Sequence, residues 1–446
     1  MRTSNNIMKI VLQVYPKISN KEPNESSYIY ESKQIKARLP GEAVYKQLSE
    51  NDKSELILIL PKSLIEEREN ASKISNQLII VQSIGRYGGK EYKGDYRQMI
   101  ATVFSELVKK SLQVEKEGES IDEIVVDISR GQNIYVTMLI EAVRNFVVFY
   151  KMKNWGRNRE MSEFKWYISF SEPVEGQVEG DIRISKVDFS QTVFFDLPIK
   201  KLTNDNGYKN ELINKLLLKF FKDVVNYNQL KKIVYLTVFL FNSIKNAIVL
   251  PLFYVDFPTS REVEDLIEKF ASRFIELNER ENYNKIEKFD AKLYIQFIQS
   301  LGLFVGLMKN IEESGIKLSP EDEGFVEVEK LENFKEILDK SVTNIAARFF
   351  EREINYLKSI NIEEGKTVKL SDIRKSERLE QNKTSFGEFQ KGSDQKRNFF
   401  AHAGFEESIV EIQKKSGKLY VRYTQQKIEE LKENKGDIYK WILDSK

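Results

Sequence analysis

The chain has 446 residues, 41% of them hydrophobic, which is enough for several cores and about three domains at ordinary domain size. Lys and Arg number 70 against 68 Asp and Glu, so the net charge of +2 gives no global field toward nucleic acid, and any such contact must come from a local patch. There is no cysteine, which excludes disulfides, thiolate metal sites and cysteine nucleophiles, and a single histidine, His402, is the only imidazole available for acid–base work. A zinc site would have to surround that one imidazole with carboxylates, an uncommon arrangement.

Through about residue 190 the chain alternates between strand and helix patterns. Lys9–Tyr15 is a short apolar run ending at Pro16, and a helical pattern starts near Gln34 and continues through Gly41–Ser49. Glu55–Leu60 reads as a buried strand stopped by Pro61, and Gln77–Ile84 as another stopped by Gly85. Tyr96–Val114 has helical spacing, Glu123–Ile128 is a third short apolar run, and Ile134–Met152 is a long amphipathic helix. Lys165–Phe170 and Ile182–Phe189 close the series as strands. Near-continuous apolar strands separated by helices predict a parallel sheet covered on both faces.

The turn cluster Thr203–Gly207 marks a change of character. Leu212–Val225, Leu230–Leu250, Arg261–Arg280, Lys285–Glu313 and Leu331–Ile360 carry helical spacing, with a short strand candidate at Phe325–Val328. Residues 363–393 are polar and poorly patterned. Ile409–Ile412 and Leu419–Tyr423 flank Lys414–Gly417 as a β-hairpin, and Gln425–Asn434 and Asp437–Asp444 are helical. The predicted organisation is an α/β domain over 1–200, followed by an α-rich domain over 207–446 with a small β-hairpin and insertions at 363–393 and 408–424. Ile7–Tyr15 contains Lys9 and Gln13 and is too short for a signal peptide. Ile233–Phe257, the best membrane candidate, is interrupted by Asn242, Lys245 and Pro251, so a buried helix and its turn are expected, in a cytoplasmic protein.

The only histidine sits in Asp394-Gln395-Lys396-Arg397-Asn398-Phe399-Phe400-Ala401-His402-Ala403-Gly404. Ser393 or Asp394 suits an N-cap and Gly404 a C′ position, giving a short helix of about ten residues. Asn398 and His402 share a face, whereas Arg397 and His402, five apart, diverge by roughly 140°. Two such helices meeting across a two-fold axis could bring both kinds of side chain into one cleft. Arg offers a cationic fork for phosphate oxygens, His transfers protons near neutrality, and Asn can orient either. That set fits metal-independent RNA cleavage, with the 2′-hydroxyl as nucleophile and Arg stabilising the phosphorane. The pattern by itself fits equally a surface arginine and a satisfied core histidine at a helix end.

Asp127-Ile128-Ser129-Arg130-Gly131-Gln132-Asn133 lies where a strand should end and a helix begin. Gly131 permits close ligand approach, Asn133 can cap the helix, and N–H groups at its start attract anions, so a phosphate or nucleotide site is possible in principle. A turn and a cap are also what every strand-to-helix junction needs.

Arg397-Asn398-x-x-Ala401-His402, near the end of an α-rich C-terminal domain, resembles the Arg-x4–6-His signature of HEPN ribonucleases. The strand followed by Asp127-Ile128-Ser129-x-Gly131-x-Asn133 and a long helix resembles the second motif of CARF domains, with Arg130 where many relatives carry His. Together they resemble a CARF–HEPN ancillary ribonuclease of type III CRISPR systems. The resemblance implies a Rossmann-like sensor joined to a helical nuclease. It implies Arg397, Asn398 and His402 as catalytic residues in a site shared by two protomers. It also implies a cyclic oligoadenylate, most simply the tetramer, as allosteric activator, bound by Ser129, Arg130, Gly131, Gln132 and Asn133 with Lys17, Lys62, Gly85, Arg86 and Tyr87 from the other strand ends. The expected partners are single-stranded RNA, the cyclic activator and further copies of the chain, with no cofactor, no metal and no membrane. The rival expectation is a ligand-gated nucleic-acid-binding regulator without catalysis. The mixed charge of the helices between 208 and 362 gives it no basic recognition helix.

Overall fold

The computed structural model describes residues 7–17, 25–156, 164–172, 180–198, 219–279, 289–341, 344–380 and 395–445. They pack as two units: Met1–Phe194 with Glu264–Gly302, and Phe195–Val263 with Leu303–Lys446.

The first unit is built on an eight-stranded sheet. Its strands are β1 (Ile7–Val14), β2 (Ser26–Tyr30), β3 (Lys33–Ala37), β4 (Lys53–Pro61), β5 (Gln77–Val81), β8 (Ser120–Asp127), β9 (Lys165–Ser171) and β10 (Ile182–Asp188), in the order β3-β2-β10-β9-β8-β1-β4-β5. A separate two-stranded hairpin consists of β6 (Ile84–Tyr87) and β7 (Lys90–Lys93). The five strands β9-β8-β1-β4-β5 are parallel. Their apolar runs are buried almost end to end because helices cover both faces. The helices are α1 (Pro40–Ser49), α2 (Arg68–Ser72), α3 (Tyr96–Lys116) and α4 (Asn133–Lys153).

The sheet is mixed rather than parallel throughout. β10 runs antiparallel to β9, and the ten residues between Ser171 and Ile182 are fewer than the dozen or more that a parallel crossover needs. The segment from Gln34, expected to be helical, is β3. It pairs with β2 through a turn in which Glu31 and Ser32 both take left-handed φ, at 48° and 67°. Helix α1 starts only at Pro40, whose fixed φ suits a first helical position. The run Gln77–Ile84 divides, and Ile84 opens the β6–β7 hairpin, turned by Gly88 and Gly89.

Part of the later helical sequence belongs to this unit. The helices Ser260–Glu279, from Glu264 on, and Ala291–Glu313, up to Gly302, pack with the sheet. Tyr294 Oη lies 3.0 Å from Ser105 Oγ, and Gln299 donates to the Asn145 carbonyl at 3.0 Å. A Cβ on Gly302 would come within 2.9 Å of the Phe149 ring, so glycine is what lets this helix approach α4. Fully buried Lys153 is paired with Glu115 and, at 3.6 Å, Glu264.

In the second unit the helix Tyr227–Lys245 opens with a reciprocal capping box between Asn226 and Gln229. The apolar stretch that follows turns at Pro251 into the 3₁₀ segment Leu250–Tyr254, all of it buried. One described helix, Ala291–Glu313, is long and apolar enough to cross a membrane, and 89% of its most apolar 18-residue stretch is buried within the protein. Leu331–Ile360, expected as one helix, is broken into Val328–Glu332, Lys335–Ser341 and Asn344–Ser359. The expected hairpin forms as β13 (Val410–Lys415) and β14 (Lys418–Tyr423). It is extended by β11 (Val326–Glu327) on one side and β12 (Thr367–Lys369) on the other. β12 and the helix Leu370–Glu380 come from the stretch that carried no pattern in sequence. Half of the predicted helix Leu212–Val225 lies outside the described residues, and of the rest Lys219–Phe221 is helical.

Candidate functional site

Among the parallel strands the chain goes from β1 to β4 and β5 on one side, with the β2–β3 hairpin placed at the far edge in between, then returns through α3 to β8 on the other. The switch in direction falls between the adjacent strands β1 and β8, and such sheets bind ligands outside the carboxyl ends of strands at that point. The Asp127–Asn133 turn lies there. Asp127, fully buried, accepts hydrogen bonds from the Ser129 N–H (3.2 Å), Ser129 Oγ (3.0 Å) and Ser169 Oγ (2.8 Å). Ser129 Oγ in turn accepts from the Ser171 N–H at 2.8 Å, so its hydroxyl is spent on shaping the turn. Gly131 has φ +113°, and a Cβ there would come within 2.9 Å of Val14, which ties the turn to the end of β1.

Asn133 is the first residue of α4 rather than its cap. The N-cap is Gln132, whose side chain makes no capping bond. That side chain instead accepts from Tyr87 Oη at 2.6 Å, which joins the β6–β7 hairpin to the turn. Arg130, Gln132 and Asn133 are exposed, as are Lys17 past β1 and Gly85 and Arg86 on β6. Lys62 is drawn elsewhere, donating to the Asn278 carbonyl at 3.3 Å. The turn therefore presents a cation, two side-chain amides, a tyrosine and a helix start with no side-chain cap, a set suited to phosphates and a stacked base.

The histidine motif forms the helix Gln395–Ala401, and its proposed caps Ser393 and Asp394 lie outside the described residues. The helix ends in a Schellman turn: Gly404 N–H donates to the Phe399 carbonyl at 2.8 Å and Ala403 N–H to Phe400 at 3.2 Å. Ala403, with φ 47°, holds the C′ position expected for Gly404, and Gly404 follows it at φ 87°. A Cβ on Gly404 would sit 2.9 Å from Ile248, so glycine is needed for close packing there. His402 is thereby the C-cap residue. Phe399, fully buried against Trp441 at 5.5 Å between ring centres, anchors the helix. Arg397 is exposed and has no ion-pair partner among the described residues; Asn398 is half-buried.

What sequence reading missed is Glu353. This residue, 3% exposed, lies on the helix Asn344–Ser359, with its Oε1 2.9 Å from His402 Nδ1. Arg374 donates to its Oε2 at 2.8 Å and Arg352 to its Oε1 at 3.1 Å, while Arg352 also reaches the Ala401 carbonyl at 3.3 Å. Burial, the largest single influence, raises the Glu353 carboxyl, but His402, Arg374 and Arg352 together outweigh it and hold it below the ordinary range. An ionised carboxylate only accepts, so Nδ1 carries the proton and Nε2 of the neutral ring is left as the basic nitrogen. No described residue bonds Nε2, and the side chain is 34% exposed. A signal was present in the sequence: Phe350, Ile354 and Leu357 form a buried stripe, and Glu353 is a charge placed on it.

Two outcomes follow from these carboxylates. Burial pushes Asp127 up to about 6, against the pull of Ser169 and Ser129. The folded value exceeds the unfolded one, so the stability that Asp127 contributes is fully present below pH ~4 and is lost, by up to about 3 kcal/mol, as pH rises through ~6. Asp127→Asn should flatten that part of the profile in chemical denaturation across pH 4–7, and an unchanged slope would remove Asp127 as its source. For His402, a long-range ¹H–¹⁵N spectrum of the single imidazole should report the Nδ1-protonated tautomer. Glu353→Gln should lose that preference, and a wild-type ring protonated on Nε2 would contradict the assignment.

Residues 10–173 match the family described as the CARF domain of the CRISPR system endoribonuclease Csx1, and residues 343–426 match the HEPN domain of the same family. No curated protein matches the chain at a significant level. The first span contains the Asp127 turn and the second contains Glu353, Arg374, Arg397 and His402. The second also takes in both segments expected as insertions, 363–393 and 408–424. With a sensor-type sheet matching one half of that description and a helical histidine site matching the other, the chain belongs to the CARF–HEPN family of CRISPR-associated ribonucleases.

Proposed function

We propose that this protein is a metal-independent endoribonuclease that cuts single-stranded RNA and is switched on by a cyclic oligoadenylate, the cyclic tetramer first among them, in type III CRISPR antiviral defence. The observation that carries the reading is the buried Glu353 holding the protein's single imidazole by Nδ1, on the helix that bears Arg397. An imidazole fixed in this way offers Nε2 to a 2′-hydroxyl. The 2′ oxygen attacks the adjacent phosphorus as its proton passes to Nε2. Arg397 neutralises the charge gathering on the phosphorane oxygens. The bond to the 5′ oxygen breaks, that oxygen takes a proton back from an imidazolium, and a 2′,3′-cyclic phosphate and a 5′-hydroxyl remain. Asn398 orients the phosphate or the ring. Donor chemistry favours a mechanism without metal: among the described residues no three His, Asp or Glu side chains are grouped as ligands.

The active unit in this reading is a homodimer or higher homo-oligomer in the cytoplasm. Arg397 and His402 diverge on their own helix, so convergence calls for a second copy. Ile345 (66% exposed) and Phe349 (39%) lie on the helix that carries Glu353, an apolar surface that a second protomer would cover. At the sensor turn, Arg130 and the start of α4 would take activator phosphates and Tyr87 an adenine, with Lys17 adding charge. Lys62 is a weaker candidate, given its bond to Asn278.

Arg397→Ala and His402→Ala should each lower cleavage of single-stranded RNA by about 10²-fold or more with the circular dichroism spectrum unchanged, and excess EDTA should leave the wild-type rate alone. Wild-type rates in either variant would dissolve the site, and loss of activity with EDTA would replace the mechanism. A protein that binds RNA only when activated and never cuts it would be the gated regulator instead. For the switch, loss of one charge-assisted contact costs about 1.5–3 kcal/mol. Arg130→Ala and Asn133→Ala should accordingly raise the half-activating concentration of cyclic tetra-adenylate at least tenfold while basal cleavage stays constant. Variants that respond as wild type does would make the turn purely structural.

A further inference from the structure

The second unit contains an open-sided cavity that the catalytic residues do not use. It lies between the helix Tyr227–Lys245 and the C-terminal helix Gly436–Leu443, with a volume of about 420 Å³. That is within the usual range for ligand sites, roughly 300–1,000 Å³. Its lining has a distinct chemistry. Lys231, Lys232 and Lys440 contribute three positive charges, and among the described residues Asp444 is the only carboxylate in the wall. Lys232 is partly neutralised by Asp256 at 3.3 Å. Lys231 and Lys440 have no carboxylate in ion-pair range among the described residues, and Lys231 lies 5.7 Å from the centre of the Tyr235 ring. Tyr235 and Tyr439 supply aromatic surface, and Tyr439 is itself braced by stacking on Phe239 at 4.9 Å.

A second observation points to a missing partner. Asn434 Oδ1, in the wall, is shielded from solvent and has no hydrogen-bond partner among the described residues. A buried acceptor left unsatisfied costs about 1–3 kcal/mol, and a donor from a bound group would remove that cost. Two lysines with no carboxylate partner among the described residues, an aromatic face and an unsatisfied acceptor together describe a receptor for one nucleotide: phosphate, base and an exocyclic amine or hydroxyl donor.

The open side of the cavity and its three lysines, carried by two helices, suit a strand passing through rather than an enclosed free nucleotide. Tyr439, Lys440 and Leu443 put one face of the C-terminal helix into the cavity. Trp441 leaves the opposite face, and its ring packs on Phe399 of the helix that carries Arg397. The helix that walls the cavity is thus the one that backs the catalytic helix. We propose that the Lys231–Lys440–Tyr235 cavity is a docking subsite for the single-stranded RNA substrate, holding a nucleotide remote from the scissile bond. This rests on the RNA-cleaving reading above and names where that substrate is gripped. The role is positioning and affinity rather than bond breaking.

The test uses the full-length protein and a labelled single-stranded 2′-O-methyl oligonucleotide, which binds but cannot be cut at a blocked 2′ oxygen. Lys231→Ala/Lys440→Ala and Tyr235→Ala should each weaken binding at least tenfold in fluorescence anisotropy, and Lys231→Arg/Lys440→Arg should restore it. If both lysines meet phosphates, the salt dependence of log affinity should fall by about 1.4 in slope, at about 0.7 per single-strand phosphate. On cleavable RNA the same variants should raise KM with little change in kcat. Thermal midpoints within a degree or two of wild type exclude misfolding as the cause. Unchanged affinity and slope in the double variant would overturn the proposal. So would AMP alone competing as strongly as the oligonucleotide, since the cavity would then serve free nucleotides. Should wild-type protein never cut RNA yet bind the 2′-O-methyl strand through these lysines, the ribonuclease reading fails while the docking subsite stands.

Discussion

The Glu353 carboxylate is the interaction on which the histidine site depends. It is buried, and a buried unpaired charge is untenable, so three cationic or proton-donating partners gather on it: His402, Arg352 and Arg374. They come from three separate helices, Asn344–Ser359, Leu370–Glu380 and the end of Gln395–Ala401. Arg352 also bonds the Ala401 carbonyl, which satisfies part of the helix end that carries His402. One carboxylate therefore fixes the position of the ring, its tautomer and the end of its helix together. Such pairs contribute little over an apolar core of equal volume, but losing one partner from them is costly, typically about 3–5 kcal/mol. The cluster is better understood as a device for orientation than as a source of stability.

Asp127 provides the contrast. It is as deeply buried, but its partners are hydroxyls and a backbone N–H, with no cation bonded to it among the described residues. Neutral donors offset only part of the desolvation cost, so its carboxyl is pushed up where that of Glu353 is held down. The difference follows the task. Asp127 shapes a loop through Ser129 and leaves Arg130, Gln132 and Asn133 outward, and for that a hydrogen-bond acceptor suffices. Glu353 stays charged beside the imidazole whose Nδ1 it holds. Glycine makes both places possible: Gly131 lets the turn reach Val14, and Gly404 lets the helix end reach Ile248.

The main strands of the sheet were legible because β1, β4, β8 and β9 each carry a short continuous apolar run, such as Leu56–Leu60 and Ile124–Val126, and a covered parallel sheet leaves that mark. β2, β3, β6 and β7 were not, since edge and hairpin strands are short, partly exposed and polar: Lys33–Ala37 carries two lysines and Lys90–Lys93 carries two more. The division of Leu331–Ile360 into three helices escaped the sequence because helical periodicity continues across the breaks. β12 was hidden because its Thr-Val-Lys is too brief to show alternation, and it becomes a strand only by pairing with β13.

By itself the sequence determined that chemistry on imidazole could be done only at His402, that cysteine chemistry was absent, and that Arg397 and His402 diverge on one helix. Those conclusions need only composition and the helical repeat. It also located the turn at Asp127–Asn133, because a buried strand, a glycine and a long amphipathic helix follow one another locally. Only the tertiary structure decided what each residue in these motifs does. Glu353 stands 49 positions from His402, Arg374 meets them from another helix, and Tyr87 reaches Gln132 across 45 positions. Tertiary packing also tied Lys62 to Asn278 and spent Ser129 on the turn itself. A local pattern records what its own neighbours require. Which distant side chains share a buried space is settled by packing, and at both carboxylates that shared space sets the charge.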